Sequence, residues 1–146
     1  MATAGAYLSQ TNVTYAALRA SGKENGMPPP LVAKVGALVE QGVRAVGLAK
    51  KHGVKVTYGS DLLAGMRGRQ LEGFGLLLDA GLTPAEALAT ATSTAAELLG
   101  LAAGEIKPGL LCDLALLRVN PLEAEQLRAL SEDDVSAVWV GGLRAK

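Results

Sequence analysis

The sequence is short of the residues that usually mark a metal centre or a protein-binding face. Among 146 residues there is one cysteine, Cys112, and one histidine, His52. A single thiol excludes an intramolecular disulfide and fits a reducing compartment. Aromatic residues make up 3% of the chain, so few anchors are on hand for a dedicated interaction surface. Neither sign of charge is in excess, because Lys+Arg and Asp+Glu are both 14. Nucleic-acid phosphates and anionic membranes are held by clustered Lys and Arg, so this balance argues against both. No apolar run approaches the roughly 20 residues of a membrane span; Leu76, Leu77 and Leu78 are cut off by Asp79. No basic stretch precedes an apolar one at the N-terminus, which argues against a secretory signal. The expected location is cytoplasmic. Residues 2–22, rich in Ala, Ser and Thr and without an acidic residue, leave organelle targeting open as an alternative.

What the chain does have is apolar content, at 49%, ample for the core of one ordinary domain. Residues 1–30 show little periodicity, and Gly22, Gly26 and Pro28, Pro29, Pro30 mark a loop before the first clear helix. From Leu31 to His52, Val32, Val35, Leu38, Val39, Val43, Val46 and Leu48 recur at helical spacing. Gly36, Gly42 and Gly47 weaken that helix and are expected to let it lie close to a sheet. Gly53 suits its C-terminal stop. Val54 to Tyr58 reads as a β-branched strand, followed by Gly59-Ser60-Asp61 and a glycine-containing loop, 62–69. A helix is expected from Arg69 to Ala80. Thr83-Pro84-Ala85-Glu86 has the spacing of a capping box opening the next helix, and Thr92 or Ser93 is expected to cap a short one ending at Gly100. Asp113 to Leu117 is read as a buried strand, 122–130 as a helical turn, and Val135 to Val140 as a last strand. A strand between helices implies a parallel α/β sheet. One strand cannot form it, so either residues 2–15 supply a second or the partner strands lie outside this chain.

Gly-Ser-Asp at the end of such a strand puts the Asp61 carboxylate on the C-terminal edge, where α/β sheets and barrels collect their active sites. A carboxylate there can bind a divalent metal or take a proton from a metal-bound water. The competing reading is a turn or helix-capping aspartate.

Several blocks resemble the amidohydrolase superfamily, in one order. Val54-Lys55-Val56-Thr57-Tyr58-Gly59-Ser60-Asp61 is similar to its last barrel strand. The segments Leu77 to Leu88 and Ala91 to Leu101 are similar to the stretch that family has after that strand. Gly104 to Gly109, Cys112 to Leu117, Asn120-Pro121-Leu122 and Val138 to Gly142 resemble the return into its small β domain. Cys112 stands where that family usually has Ala. The resemblance covers residues 31–143 and is closest to the prolidase-like and imidazolonepropionase-like branch. It implies an α/β fold: the C-terminal portion of a (β/α)8 TIM-like barrel in residues 1–104, and short strands of a small β domain in 105–146. It also implies hydrolysis of C–N bonds with one or two divalent metals, zinc being expected. Asp61 would then be both a metal ligand and the catalytic acid/base. The family's His-x-His, its bridging Lys or carboxylate and its later histidines match nothing in this chain. His52 precedes the strand, at the end opposite the site, and suits a helix C-terminus. The chain alone is therefore expected to bind no metal tightly and to be an inactive fragment. The alternative is a non-catalytic assembly module that completes a barrel with another chain.

Arg67 and Arg69 are weaker candidates for a substrate carboxylate, against a reading as solvent-exposed loop charge. Tyr58 is read as barrel packing, Ser60 as a local backbone partner, Cys112 as a small buried residue and Trp139 as core. The expected partner is a small amide or dipeptide-like substrate, with a missing barrel half or a homo-oligomer as the candidate protein partners.

Overall fold

The computed structural model describes all residues except 23 and 25. Two small sheets and six α-helices make up most of its regular structure among the described residues. The first sheet pairs β1 (Tyr7–Gln10) with β2 (Lys55–Tyr58) in parallel, with Leu8 beside Val56 and Gln10 beside Tyr58. Residues 2–15 thus do supply a strand. Between the two lie α1 (Asn12–Gly22) and α2 (Pro29–Lys51), the long crossover that parallel strands require.

Helix α2 starts two residues before the apolar periodicity predicts, because Pro29 and Pro30 occupy its first turn, where their missing N–H groups cost nothing. It ends as expected, with His52 as C-cap and Gly53 left-handed at φ 65°. Val35, Val39, Val46 and Ala49 form its buried face, while Leu48 is 56% exposed. Two of its three glycines serve a different purpose from the one expected. A Cβ on Gly42 would run into the Asn12 amide, and one on Gly36 would touch the Arg19 guanidinium. They let α1, rather than the sheet, approach α2. The contact is fixed by Asn12 Nδ2, which donates to the Val39 carbonyl at 2.9 Å.

The helix expected over 69–80 divides. Residues Ala64–Glu72 form a 3-10 segment, and α3 covers only Gly73–Asp79. Helix α4 (Pro84–Ala91) carries the predicted capping box: Glu86 N donates to Thr83 Oγ1 at 3.3 Å and Thr83 N to Glu86 Oε2 at 2.7 Å. Thr92 is the N-cap of α5 (Ser93–Leu99), but its hydroxyl turns back to the Leu88 carbonyl rather than capping.

The second sheet is antiparallel, in the order β3 (Leu114–Leu117), β4 (Val135–Val140), β5 (Leu143–Arg144). The reading of Asp113 to Leu117 as buried needs correction. Leu116 is 55% exposed and Cys112 is also exposed. Strand β3 lies at the sheet edge, and Leu117 is its contribution to the core. Trp139 is half-buried rather than core. Helix α6 (Ala124–Arg128) packs on α3, with Leu127 fully buried and Arg128 paired to Asp79 at 2.8 Å. One apolar cluster joins Val46, Val56, Phe74, Leu77, Ala87 and Leu127, so the sheet–helix unit and the C-terminal segment share a core. No described helix is long and apolar enough to cross a membrane.

Candidate active site at the rim of the parallel strands

Strands β1 and β2 run side by side and end together at Gln10 and Tyr58. The ladder continues one step, with Gly59 N donating to the Gln10 carbonyl at 2.9 Å. A Cβ at Gly59 would press on Thr11 Cγ2, so glycine suits the close approach of the two chains. Asp61 comes two residues later, on the C-terminal edge where the strand pattern places it. It is exposed and is the non-glycine residue with positive φ, at 48°, among the described residues. L-residues avoid that conformation because Cβ crowds the following carbonyl, and aspartate tolerates it better than most. Among the described residues no hydrogen bond or ion pair engages its carboxylate.

Two polar atoms at this end are buried without a partner among the described residues: Gln10 Nε2 and Thr57 Oγ1. Gln10 Oε1 is occupied, accepting from Asn12 N at 2.7 Å. Orphaned buried polar atoms are uncommon in native folds and concentrate where a site, a water or strain accounts for them.

The segment after Asp61 returns to the end of β2, where the Tyr58 hydroxyl meets the Gln70 carbonyl. Arg67 is exposed. Arg69 is engaged: Nε and Nη2 donate to the two carboxylate oxygens of Glu72, each at 2.8 Å, and Nη1 reaches the Ala17 carbonyl at 3.4 Å. The hydrogen bonds to Glu72 hold the Arg69 guanidinium in its charged form. Tyr58 stacks on Phe74, with centroids 5.3 Å apart and planes at 16°, and its hydroxyl donates to the Gln70 carbonyl. Burial pushes that hydroxyl up to about 12; the Glu72 charge adds to the shift and the Gly73 backbone opposes it. The packing reading of Tyr58 describes its ring but missed its hydroxyl bond. The i,i+3 spacing of Arg69 and Glu72 was the signal that could have found that pair, whereas Gln70 acts through its backbone carbonyl, which its residue type does not announce.

His52 ends α2 ahead of β2, away from this rim. Among the described residues no three His, Cys, Asp or Glu side chains gather into a group able to hold a metal ion. A groove of about 1060 Å³ runs between α1 and α2, lined by Ala16, Arg19, Val32, Gly36 and Leu76 among others; Asp61 is not part of its wall.

Comparison with known proteins gives a consistent picture. The Amidohydrolase family model matches residues 1–144, so it takes in β1 and α1 as well as the blocks from residue 31 onward. No curated protein sequence matches the chain. Among solved structures, the chain is similar to an amidohydrolase at 34% identity and TM-score 0.85, covering 98% of this chain and 35% of that one. It is similar to a prolidase complexed with N-methylphosphonate-L-proline at 38% identity and TM-score 0.84, covering 97% and 35%. It is also similar to the ochratoxinase of A. niger at 28% identity and TM-score 0.72, covering 93% and 31%. The chain thus spans about a third of the length of the solved relatives it matches. These likenesses bear out the fold expected from the sequence: the C-terminal portion of a (β/α)8 barrel with short strands of a small β domain.

Proposed function

The chain belongs to the amidohydrolase family, and from that premise we propose that it serves hydrolysis of an amide or dipeptide-like C–N bond, with Asp61 as the acid/base carboxylate. The observation that carries this reading is the placement of residue 61: past the C-terminal end of a parallel strand, exposed, and in a left-handed backbone. Strained non-glycine residues persist where surrounding structure over-determines them, and they cluster at active sites. The orphaned atoms of Gln10, last in β1, and of Thr57, next to last in β2, support the same rim as the functional one. The relative named as a prolidase supports a dipeptide-like substrate.

Amidohydrolases generally use divalent metals, and zinc is the metal we propose for the full catalytic unit. The residues of this chain do not by themselves fit such a site. Zinc takes three or four protein ligands; Asp61 offers one carboxylate, and no ligand group accompanies it among the described residues. The role assigned here is therefore proton transfer: the Asp61 carboxylate takes the proton of the attacking water and returns it to the leaving amine. Arg67 is the rim guanidinium open to a substrate carboxylate, whereas Arg69 would first have to release Glu72. We place the barrel portion in residues 1–104 and the small β domain in 105–146.

Two experiments test the reading. The purified 146-residue chain is expected to hold no stoichiometric zinc and to turn over no dipeptide. Tight zinc with turnover would refute inactivity of the chain alone. Turnover that arises only on mixing with a separate chain would favour the assembly-module alternative. Transplanting residues 1–144 into the solved amidohydrolase in place of its matching segment tests Asp61 itself. Asp61→Asn in that chimera is expected to lower kcat by about 10²–10⁴, the usual worth of a positioned acid/base group. An Asp61→Asn chimera as fast as its parent would remove Asp61 from the mechanism.

A further inference from the structure

Tyr58 is the last residue of β2 and stands three positions before Asp61. Its hydroxyl donates to the carbonyl of Gln70, twelve positions on. That bond closes residues 58–70 into a loop with Asp61 inside it. The phenol is held on two sides. Phe74 stacks against its face, and Gly73 comes so close that a Cβ there would run into the ring and hydroxyl. A second tie lies just inside the far end of the loop, where Arg69 reaches from the Glu72 carboxylate to the Ala17 carbonyl of α1.

Between the two ends lie residues 59–63, outside helix and strand, and the start of the 3-10 segment Ala64–Glu72, where Met66 N donates to the Leu63 carbonyl at 2.8 Å. Gly65 and Gly68 have open space where a Cβ would be, and the carboxylate of residue 61 has no bonded partner among the described residues. Yet its backbone is held at φ 48°. An exposed L-residue with no partner for its side chain is held left-handed through the chain on either side: by β2 before it and by the 3-10 segment after it, which the Tyr58–Gln70 bond ties back to the strand. Shortening the free chain between anchors removes backbone conformations that would otherwise compete.

We propose that Tyr58 is the positioning residue for Asp61: by bonding the Gln70 carbonyl it closes the 58–70 loop, fixes the left-handed backbone at residue 61, and so sets where the carboxylate stands on the rim. The functional meaning of this device rests on the acid/base reading of Asp61, but its test does not use turnover, so the two can fail separately.

The test is nuclear magnetic resonance on the 146-residue chain. The ¹³Cα and ¹³Cβ shifts of Asp61 report its backbone conformation, and amide hydrogen exchange reports closure of the loop. In the unaltered chain Asp61 is expected to show left-handed shifts, with amides of 62–70 exchanging more slowly than a free loop. Tyr58→Phe keeps the ring on Phe74 and removes the hydroxyl. It is expected to move the Asp61 shifts toward unstructured values and to speed exchange across 62–70 by roughly five- to tenfold, the effect of one lost hydrogen bond, while Val39 and Val46 in α2 keep their rates. Uniformly faster exchange with unmoved Asp61 shifts would show that Tyr58 only packs, and would overturn the proposal. Should Tyr58→Phe fail to fold, the unaltered chain still decides: unstructured Asp61 shifts or unprotected 62–70 amides there overturn it as well.

Discussion

Replacing Asp61 with glycine is expected to make the folded chain more stable while removing the carboxylate proposed to do the chemistry. Residue 61 sits at φ 48°, where an L-residue bears about 1–2 kcal/mol of steric cost, less for aspartate than for most. Glycine has no Cβ and does not bear it. Against this, glycine gains freedom in the unfolded chain worth roughly 0.5–1 kcal/mol. The side chain is exposed and makes no bond among the described residues, so its removal forfeits little. The balance for Asp61→Gly is a gain of up to about 1 kcal/mol, or at most about 4 °C in melting temperature for a chain of this size. Asp61→Asn, which keeps the shape and tolerates the same backbone, should lie within about 0.5 kcal/mol of the parent.

Urea unfolding followed by far-ultraviolet circular dichroism measures these differences, provided the slopes of the transitions agree. The competing reading of residue 61 as a turn or helix cap makes the opposite forecast for glycine, a loss of about a few tenths of a kcal/mol because the accepting side chain is gone, and forecasts no change for asparagine, which caps as well as aspartate. A loss in Asp61→Gly, with Asp61→Asn unchanged, would therefore refute the reasoning and reassign Asp61 to local structure.

Other perturbations act on contacts away from that residue. Gly42→Ala drives a methyl into the Asn12 amide and its bond to Val39; a loss of about 1–3 kcal/mol in chemical denaturation is expected. Glu86 is held down to about 2, first by its hydrogen bond from Lys50 and then by the Thr83 backbone. Its folded value lies below the ordinary 4.5, so its contribution is present above that ordinary value and is lost as pH falls from about 4.5 toward 2. Glu86→Gln should flatten this part of the acid stability profile and, since the pair is half exposed, cost only about 0.5 kcal/mol at neutral pH. Tyr58, pushed up to about 12, has the reverse sign. Its contribution is full below about pH 10 and lost between about 10 and 12, so Tyr58→Phe should lose less stability over that alkaline range than the parent.

The parts of this fold that were legible in the sequence are those decided locally. Thr83 and Glu86 close a capping box because both partners lie within one turn. Gly53 ends α2 because the left-handed residue is needed where the helix stops. The strand β2 declares itself through Val54, Val56 and Thr57, and Asp61 through its position after that strand. The rest was not legible because it depends on distant partners. Strand β1, Tyr-Leu-Ser-Gln, is half polar and becomes a strand by lying beside Lys55–Tyr58. Helix α1 is defined by docking on α2, and the α2 glycines make sense only once Asn12 and Arg19 are seen above them. Strand β3 reads as buried from Leu114 to Leu117, yet its outer face is exposed because it forms the edge of a three-stranded sheet.

The candidate site shows the same division. A residue type and its place on a strand can be read from sequence, and they lead to Asp61. The backbone state of that residue cannot, because φ 48° is set by a loop closed through Tyr58 and Gln70 and braced by Arg69 on Ala17. Arg69 illustrates how the distinction bears on function. Spacing alone offers it to a substrate carboxylate, but Glu72 three residues later already fills its guanidinium fork. A substrate carboxylate must therefore exchange with Glu72 to use Arg69, whereas Arg67 is exposed. Placed in the chimera, Arg67→Ala should raise KM for substrates with a free carboxylate and leave their amides unaffected, while Arg69→Ala should act first on loop stability. A KM increase confined to Arg69→Ala would show instead that the exchange with Glu72 takes place and that the substrate binds through the engaged arginine.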